Sequence, residues 1–207
     1  MKPHEPRVYI VDDDDAVREA LGALLGSVCL IYQSFASAEA FLAVASPHMR
    51  GCLLLDVRMP GMSGLELQRK LQEQGVALQI VIITGHGDVP MAVRALKAGA
   101  SDFIEKPFNE QDLLDRIQTC LQDDHHLWNT RQALDEAAAR FDTLTPRERA
   151  VMELIAVGDH TKKIAAQLGI QDRTVDVHRF NIMRKAGVRT LAELLRLWFA
   201  AHQATQL

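Results

Sequence analysis

The chain has 207 residues, 48% of them hydrophobic and 24% charged, with a formal net charge of −4. That length suits one large domain or two small ones, and the composition is ordinary for a globular protein. No apolar run approaches the ~20 residues a membrane span needs, and Met1-Lys2-Pro3-His4-Glu5 carries no signal-peptide core. A cytoplasmic protein without a membrane partner is therefore expected. Cys29, Cys52 and Cys120 are odd in number and lack metal-type spacing; they read as reduced, mostly buried thiols.

The charge is uneven. Residues 1–124 hold 11 basic and 18 acidic side chains, whereas residues 125–207 hold 12 and 9. An acidic front and a mildly basic back suggest two domains, the second with an anionic partner. The charge of the back half is by itself a weak pointer to nucleic acid.

In chain order, apolar runs near 7–11, 30–33, 52–56, 79–83 and 102–105 predict strands. Helical patterns lie between them near 15–28, 37–46, 63–74, 89–98 and 109–123. Five βα units imply an α/β fold with a doubly wound parallel sheet. Ser63-Gly64-Leu65-Glu66 has the capping-box pattern, and Asn109 is placed to cap the fifth helix. From Asp112 to Phe141 there is no glycine or proline. Leu127, Leu134, Ala138 and Phe141 form one candidate apolar face, so a helical linker is predicted, with a structureless tether as the alternative. His125-His126 are neighbours, which cannot share a helix face as an i, i+4 pair does, and read as polar linker.

Thr145-Pro146-Arg147-Glu148 opens the back half with a capping threonine, proline at N1 and glutamate at N3. Val151, Leu154, Ile155 and Ala156 follow as a buried stripe. A short helix is predicted from Thr161 to Leu168, stopped by Gly169. A longer one runs from about Gln171 to Ala186, stopped by Gly187, and a last one spans about Thr190 to Ala200. Short helix, tight turn and longer helix make a helix-turn-helix in an all-α, four-helix domain. The predicted division is 1–123, a helical linker over 124–142, and 143–207.

Chemistry gathers at the strand ends. Asp12 and Asp13 follow the first strand, Asp56 ends the third, Thr84 follows the fourth, and Lys106-Pro107 follows the fifth. Each has an ordinary reading alone: a solvated acidic run, a turn residue, a strand-end hydroxyl, a surface lysine. Their joint placement at the mouth of a parallel sheet, where open α/β folds bind ligands, points to a divalent metal and a phosphoryl group. Oxygen-only donors suit Mg²⁺.

On these motifs the first ~120 residues resemble the receiver domains of two-component response regulators. The matching segments are Val11-Asp12-Asp13, Leu55-Asp56-Val57-Arg58-Met59-Pro60, Thr84, and Lys106-Pro107-Phe108. The segment from Thr84 to Val93 is similar to the FixJ subgroup. The resemblance implies that Asp56 accepts a phosphoryl group from a sensor histidine kinase. It implies that Mg²⁺ is held by Asp13, Asp56 and the Arg58 backbone carbonyl, with Asp12 acting through water. Lys106 and the metal then offset phosphoryl charge. Thr84 acts as a switch hydroxyl, with Phe103 as its aromatic partner or as an ordinary core residue. It further implies a cis Lys106–Pro107 bond, an influence of Arg58 and His86 on phosphoryl lifetime, and a homodimer on phosphorylation through the fourth helix and fifth strand. Val93 and Lys97 share a face of that helix, with Val93 alternatively in the core. Cys29 departs from the pattern, standing where receivers often have glycine.

Residues 143–205 resemble the LuxR/FixJ-type helix-turn-helix, on Leu144-Thr145-Pro146-Arg147-Glu148, Ile164-Ala165, Leu168-Gly169-Ile170, Arg173-Thr174-Val175, Val177-His178-Arg179 and Lys185-Ala186-Gly187. The resemblance implies a partner of double-stranded DNA, read in the major groove, and RNA polymerase as a further partner. Val175, Ile182 and Met183 are expected to face the core. Arg173, Thr174, Asp176, Arg179, Phe180 and Arg184 are candidates for the DNA side, with Lys162 and Lys163 on phosphates. His178 is either packed or a base reader. Three departures stand out. His160 and Gln171 replace the usual capping serines, leaving Thr161 as the expected cap of the short helix. Asp176 stands where many relatives have lysine, and suits a cytosine amine or the exclusion of wrong bases.

The expected function is thus phosphorylation-dependent control of transcription. One rival is a haloacid-dehalogenase-type phosphatase, which carries a second aspartate two residues after its nucleophile; here Arg58 stands there. The other is a DNA binder indifferent to phosphorylation.

Overall fold

The computed structural model describes residues 5–85 and 89–203, and the chain separates into two compact units, 1–127 and 128–207. His86 lies outside the described residues.

The first unit alternates strand and helix: β1 (Arg7–Val11), α1 (Asp15–Ser27), β2 (Tyr32–Phe35), α2 (Ala38–Leu42), β3 (Gly51–Asp56), α3 (Gly64–Glu73), β4 (Gln79–Thr84), α4 (Val89–Lys97), β5 (Asp102–Glu105) and the start of α5 (Glu110–Asp142), whose later turns belong to the second unit. The strands form one parallel sheet in the order β2-β1-β3-β4-β5. The period-2 alternation of β-structure sends side chains to two faces. Tyr9, Val11, Leu53, Leu55, Ile80 and Ile82 pack with Phe41, Leu67, Leu71 and Met91 from α2, α3 and α4. Val8, Ile10, Cys52, Leu54, Val81 and Ile83 pack with Leu21, Leu25, Leu113 and Ile117 from α1 and α5. Burial on both faces is why these strands read as unbroken apolar runs.

Two boundaries differ from the sequence expectation. β2 starts at Tyr32 rather than at 30 because Leu30 closes the end of α1. The Cys29 N–H donates to the Gly26 carbonyl at 3.1 Å and the Leu30 N–H to the Leu25 carbonyl at 3.0 Å. That is the Schellman arrangement, with Cys29 in the left-handed slot at φ 57° that glycine usually fills. α2 stops at Leu42, not near 46. Bonds three residues apart carry the chain on, from Val44 N–H to the Phe41 carbonyl and from Ala45 N–H to the Leu42 carbonyl. Pro47 then disfavours helical geometry at Ser46.

The helix placed near 109–123 runs on through the predicted helical linker, with no structureless tether: α5 is continuous from Glu110 to Asp142. Asn109 caps it, its side-chain oxygen accepting from the Gln111 N–H at 2.7 Å and from the Asp112 N–H at 3.3 Å. Asp124, on α5, belongs to the first unit. It is buried and accepts from Arg50 Nη2 and from the Gly51 N–H, each at 2.8 Å, at the start of β3. The apolar face predicted along 127–141 is only partly correct: Leu127 is 58% exposed, whereas Leu134 and Ala138 are half-buried and Phe141 is buried, Ala138 and Phe141 lying in the second unit's core. Leu127 falls before that core begins.

The second unit adds α6 (Pro146–Ala156), α7 (Thr161–Leu168), α8 (Asp172–Ala186) and α9 (Leu191–Gln203). Val151, Met152, Ile155, Ile164, Val175 and Ile182 pack with Leu194 and Trp198. Phe141 meets Trp198 edge to face, with ring centroids 5.0 Å apart. The capping box at α6 is complete, and Gly169 and Gly187 both end their helices in the left-handed conformation. The expected cap of α7 is corrected. His160, not Thr161, takes the N-cap position, without a side-chain cap bond; the Thr161 Oγ1 instead accepts from Arg179 Nη1 at 3.1 Å. Among the described residues no helix is long and apolar enough to cross a membrane.

Candidate functional site

The sheet register brings the first site together. Val11 lies beside Leu55, Asp56 beside Ile83, and Thr84 beside Glu105. Asp12, Asp56, Thr84 and Lys106 therefore project from adjoining strand ends at one edge, flanking the point where strand order reverses around β1. Asp12, Asp56 and Thr84 are buried. Lys106 Nζ donates to Asp12 Oδ2 at 2.6 Å and to Asp56 Oδ1 at 3.1 Å. The Lys106 N–H donates to the Thr84 carbonyl at 2.9 Å, and the Lys106–Pro107 peptide is cis.

Backbone donors hold the remaining carboxylate oxygens. The Arg58 N–H donates to Asp56 Oδ2 at 2.6 Å, and the Asp14 N–H to Asp12 Oδ1 at 2.9 Å. A close approach fixes the loop after Asp56: a Cβ on Gly64 would lie 2.1 Å from the Asp56 carbonyl oxygen, so only glycine lets α3 begin there. The Gly64 N–H donates to the Val57 carbonyl at 3.0 Å.

Burial raises the Asp56 carboxyl above its ordinary value; Lys106 pulls it down and Asp12 pushes it up. Burial depresses the Lys106 ammonium, but the bonds and charges of Asp12 and Asp56 outweigh that and raise it. Lys106 therefore stays cationic. Two buried carboxylates sharing one ammonium retain mutual repulsion, which a further cation would relieve.

Of the acids expected to ligate metal, Asp12 and Asp56 are brought together, while Asp13 is exposed. Among the described residues no three His, Cys, Asp or Glu side chains stand close enough, as placed, to hold an ion. The donor chemistry nonetheless fits Mg²⁺: carboxylate oxygens only, two of them buried and in excess of the one lysine that neutralises them. Phe103 is half-buried against the core, and Arg58 is exposed. Val93 is 43% exposed, so the core reading of it is corrected; Lys97 is exposed as well. Sequence reasoning missed Arg18, whose Nη1 donates to the Asp12 carbonyl at 2.7 Å and which also pairs with Asp15. The i, i+3 spacing of Asp15 and Arg18 on α1 was the available signal.

The second site is the outer face of α8. Val175, Ile182 and Ala186 are buried. Arg173, Asp176, Val177, Phe180 and Arg184 are exposed, and at 3.6 residues per turn they share the opposite face. Thr174, His178 and Arg179 lie beside that face, half-buried. Met183 is half-buried against the core. Lys162 and Lys163 are exposed on α7, and Lys163 Nζ pairs with Asp159 Oδ1 at 2.5 Å. Val177 was absent from the expected DNA side; counting two residues on from the buried Val175 would have placed it there.

A doubly wound sheet with an acid–lysine edge, together with a helix-turn-helix unit, defines a signalling regulator rather than a metabolic enzyme. The family described as response regulator receiver domain matches residues 8–118, and that of bacterial regulatory proteins, luxR family, matches residues 142–198. The response regulator protein TmoT of Ectopseudomonas mendocina is 46% identical over 95% of this chain and 90% of its own. The transcriptional regulatory protein FixJ of Azorhizobium caulinodans is 44% identical over 94% and 92%. The solved structure of the response regulator StyR is 48% identical and superposes with a TM-score of 0.80, over 93% of this chain and 98% of that one. The chain belongs to the two-component response regulators that join a receiver domain to a LuxR-type DNA-binding domain. That family regulates transcription, which sets aside the phosphatase rival.

Proposed function

We propose that the protein is a cytoplasmic transcription factor switched by phosphorylation of Asp56. The reading assigns 1–123 to the phosphoacceptor domain, 124–142 to a helical linker and 143–207 to DNA binding. One observation carries it: Asp12 and Asp56, on separate strands, share the Lys106 ammonium at the mouth of the sheet.

An Asp56 carboxylate oxygen attacks the phosphorus of a sensor kinase's phosphohistidine. The P–N bond breaks, the electron pair leaves with the imidazole, and an acyl phosphate forms. Lys106 is already held beside the Asp56 oxygens, where it offsets charge on the incoming phosphoryl group. Mg²⁺, which Asp12, Asp13, Asp56 and the Arg58 carbonyl would hold, supplies further charge neutralisation. Thr84 offers its hydroxyl to the phosphoryl group, with Phe103 as its aromatic partner in the switch. Hydrolysis of the acyl phosphate returns Asp56 and inorganic phosphate, the only turnover assigned to the chain.

The phosphorylated protein dimerises through α4 and β5. Val89, Val93 and Leu96 form an exposed apolar stripe there at i, i+4 and i+7, and Lys97 flanks it. Two copies of α8 then enter successive major grooves, with Arg173 and Arg184 at base edges or phosphates, Asp176 at a base edge, and Thr174, His178 and Arg179 at the margin. Lys162 and Lys163 contact phosphates, and RNA polymerase is the final partner.

Intact-mass measurement with acetyl phosphate and Mg²⁺ tests the reading. One added phosphoryl group is expected on the wild type and none on Asp56→Asn. Equal modification of both proteins would remove the assignment.

A further inference from the structure

We infer that Val177 and Phe180 read thymine methyl groups, making them specificity-determining residues of the α8 face. The inference rests on the reading of α8 as the helix that enters DNA.

Val177 is 53% exposed and Phe180 is 67% exposed. They lie three residues apart on one side of the helix and so stand next to each other. Single exposed apolar side chains are common and carry no message. This pair is different in its setting. It sits within the face formed by Arg173, Asp176 and Arg184, directly opposite the stripe that α8 buries. Residues 143–207 carry 10 basic and 6 acidic side chains, so the surface around the pair complements a polyanion more than an apolar protein partner.

The chemistry of the groove narrows the occupant. Neither side chain donates or accepts a hydrogen bond, so neither can read the N–H and carbonyl pattern of base edges. In the major groove the apolar feature they can meet is the C5-methyl of thymine. Phe180 is the larger and more exposed of the two, and Val177, stiff at χ1, presents a short fixed surface beside it. The two together favour an A·T pair, with the thymine methyl against them, over G·C at the same step.

The test uses the full-length protein. A preferred duplex is first obtained by selection from random sequence. Each thymine in it is then replaced singly by deoxyuridine, which keeps base pairing and removes only the methyl. At one or two positions the wild type should lose about fourfold in affinity, the equivalent of ~0.8 kcal/mol for burying one methyl-sized group. Phe180→Ala, or Val177→Ala for the neighbouring base, should show no loss at the matching position while still binding duplex DNA. Both side chains are exposed, so neither variant should disturb folding. Deoxyuridine without effect anywhere in the site would overturn the inference and leave DNA binding by α8 standing. So would a variant that loses as much as the wild type, which is the result expected if the pair docks a protein. Failure to select any duplex would overturn the DNA-reading assignment and this inference with it.

Discussion

Each unit of this protein buries a carboxylate against a lysine, and the two pairs behave oppositely. In the first unit Asp56 accepts from Lys106 at 3.1 Å, yet its carboxyl is raised. In the second, Glu148 accepts from Lys185 at 2.6 Å and from the Thr145 N–H at 2.8 Å. Burial works against Glu148 too, but the bonds from Lys185 and Thr145 outweigh it and its carboxyl is lowered. The difference is a neighbour. Asp12 competes for Lys106 and repels Asp56, whereas Lys185 serves Glu148 alone among the carboxylates it is seen to bond. A pair satisfied on both sides holds a fold together; a lysine divided between two carboxylates leaves an anion poised to react.

The largest effects should come from ties that are fully satisfied. Asp124→Ala removes a buried ion pair with Arg50 and the acceptor of the Gly51 N–H, and should destabilise the first unit by about 3–5 kcal/mol. Hydrogen exchange in β1 and β3 would report it. Phe141→Ala should cost the second unit about 3–5 kcal/mol, read by tryptophan fluorescence, since Trp128 and Trp198 both lie in that unit. An unchanged urea midpoint would mean that the end of α5 is a detachable tether.

Acid should separate the two carboxylates by sign. Glu148 titrates below its ordinary 4.5 when folded. Its contribution is present above that pH and is lost as pH falls through the folded value, so the stability advantage of wild type over Glu148→Gln should shrink there. Asp56 titrates above its ordinary 3.8 when folded. Its ionisation costs the folded state, and that cost is relieved as pH falls through the folded value, so Asp56→Asn should gain most at neutral pH. Thermal midpoints of each unit against pH would read both slopes; parallel slopes would erase the contrast. The smallest effect is Cys29→Gly, which frees a left-handed position from its Cβ and should stabilise the first unit by about 1 kcal/mol.

Much of this was legible in the sequence because strand ends announce themselves. Val11-Asp12, Leu55-Asp56 and Ile83-Thr84 each turn from apolar to polar at the edge of the sheet, and parallel pairing then aligns the edges. The caps at Asn109 and Thr145 and the stops at Gly169 and Gly187 were likewise local. What escaped depends on which partner or face the fold selects. β2 begins late because α1's closing turn consumes Leu30. Asp124 is tied to Arg50, 74 residues away. Lys163 leans on Asp159, and Val177 faces outward because Val175 and Ile182 face inward. The reactive edge is set by topology, while the reading face is set by which side of α8 the core happens to claim.

The measurement that tests the account most directly joins the two units. A selected duplex would be titrated with full-length protein, with and without acetyl phosphate and Mg²⁺, for wild type and Asp56→Asn. Phosphorylation should tighten binding by the wild type and leave Asp56→Asn without response. Wild-type binding that is unchanged, or that shifts equally in both proteins, would contradict it.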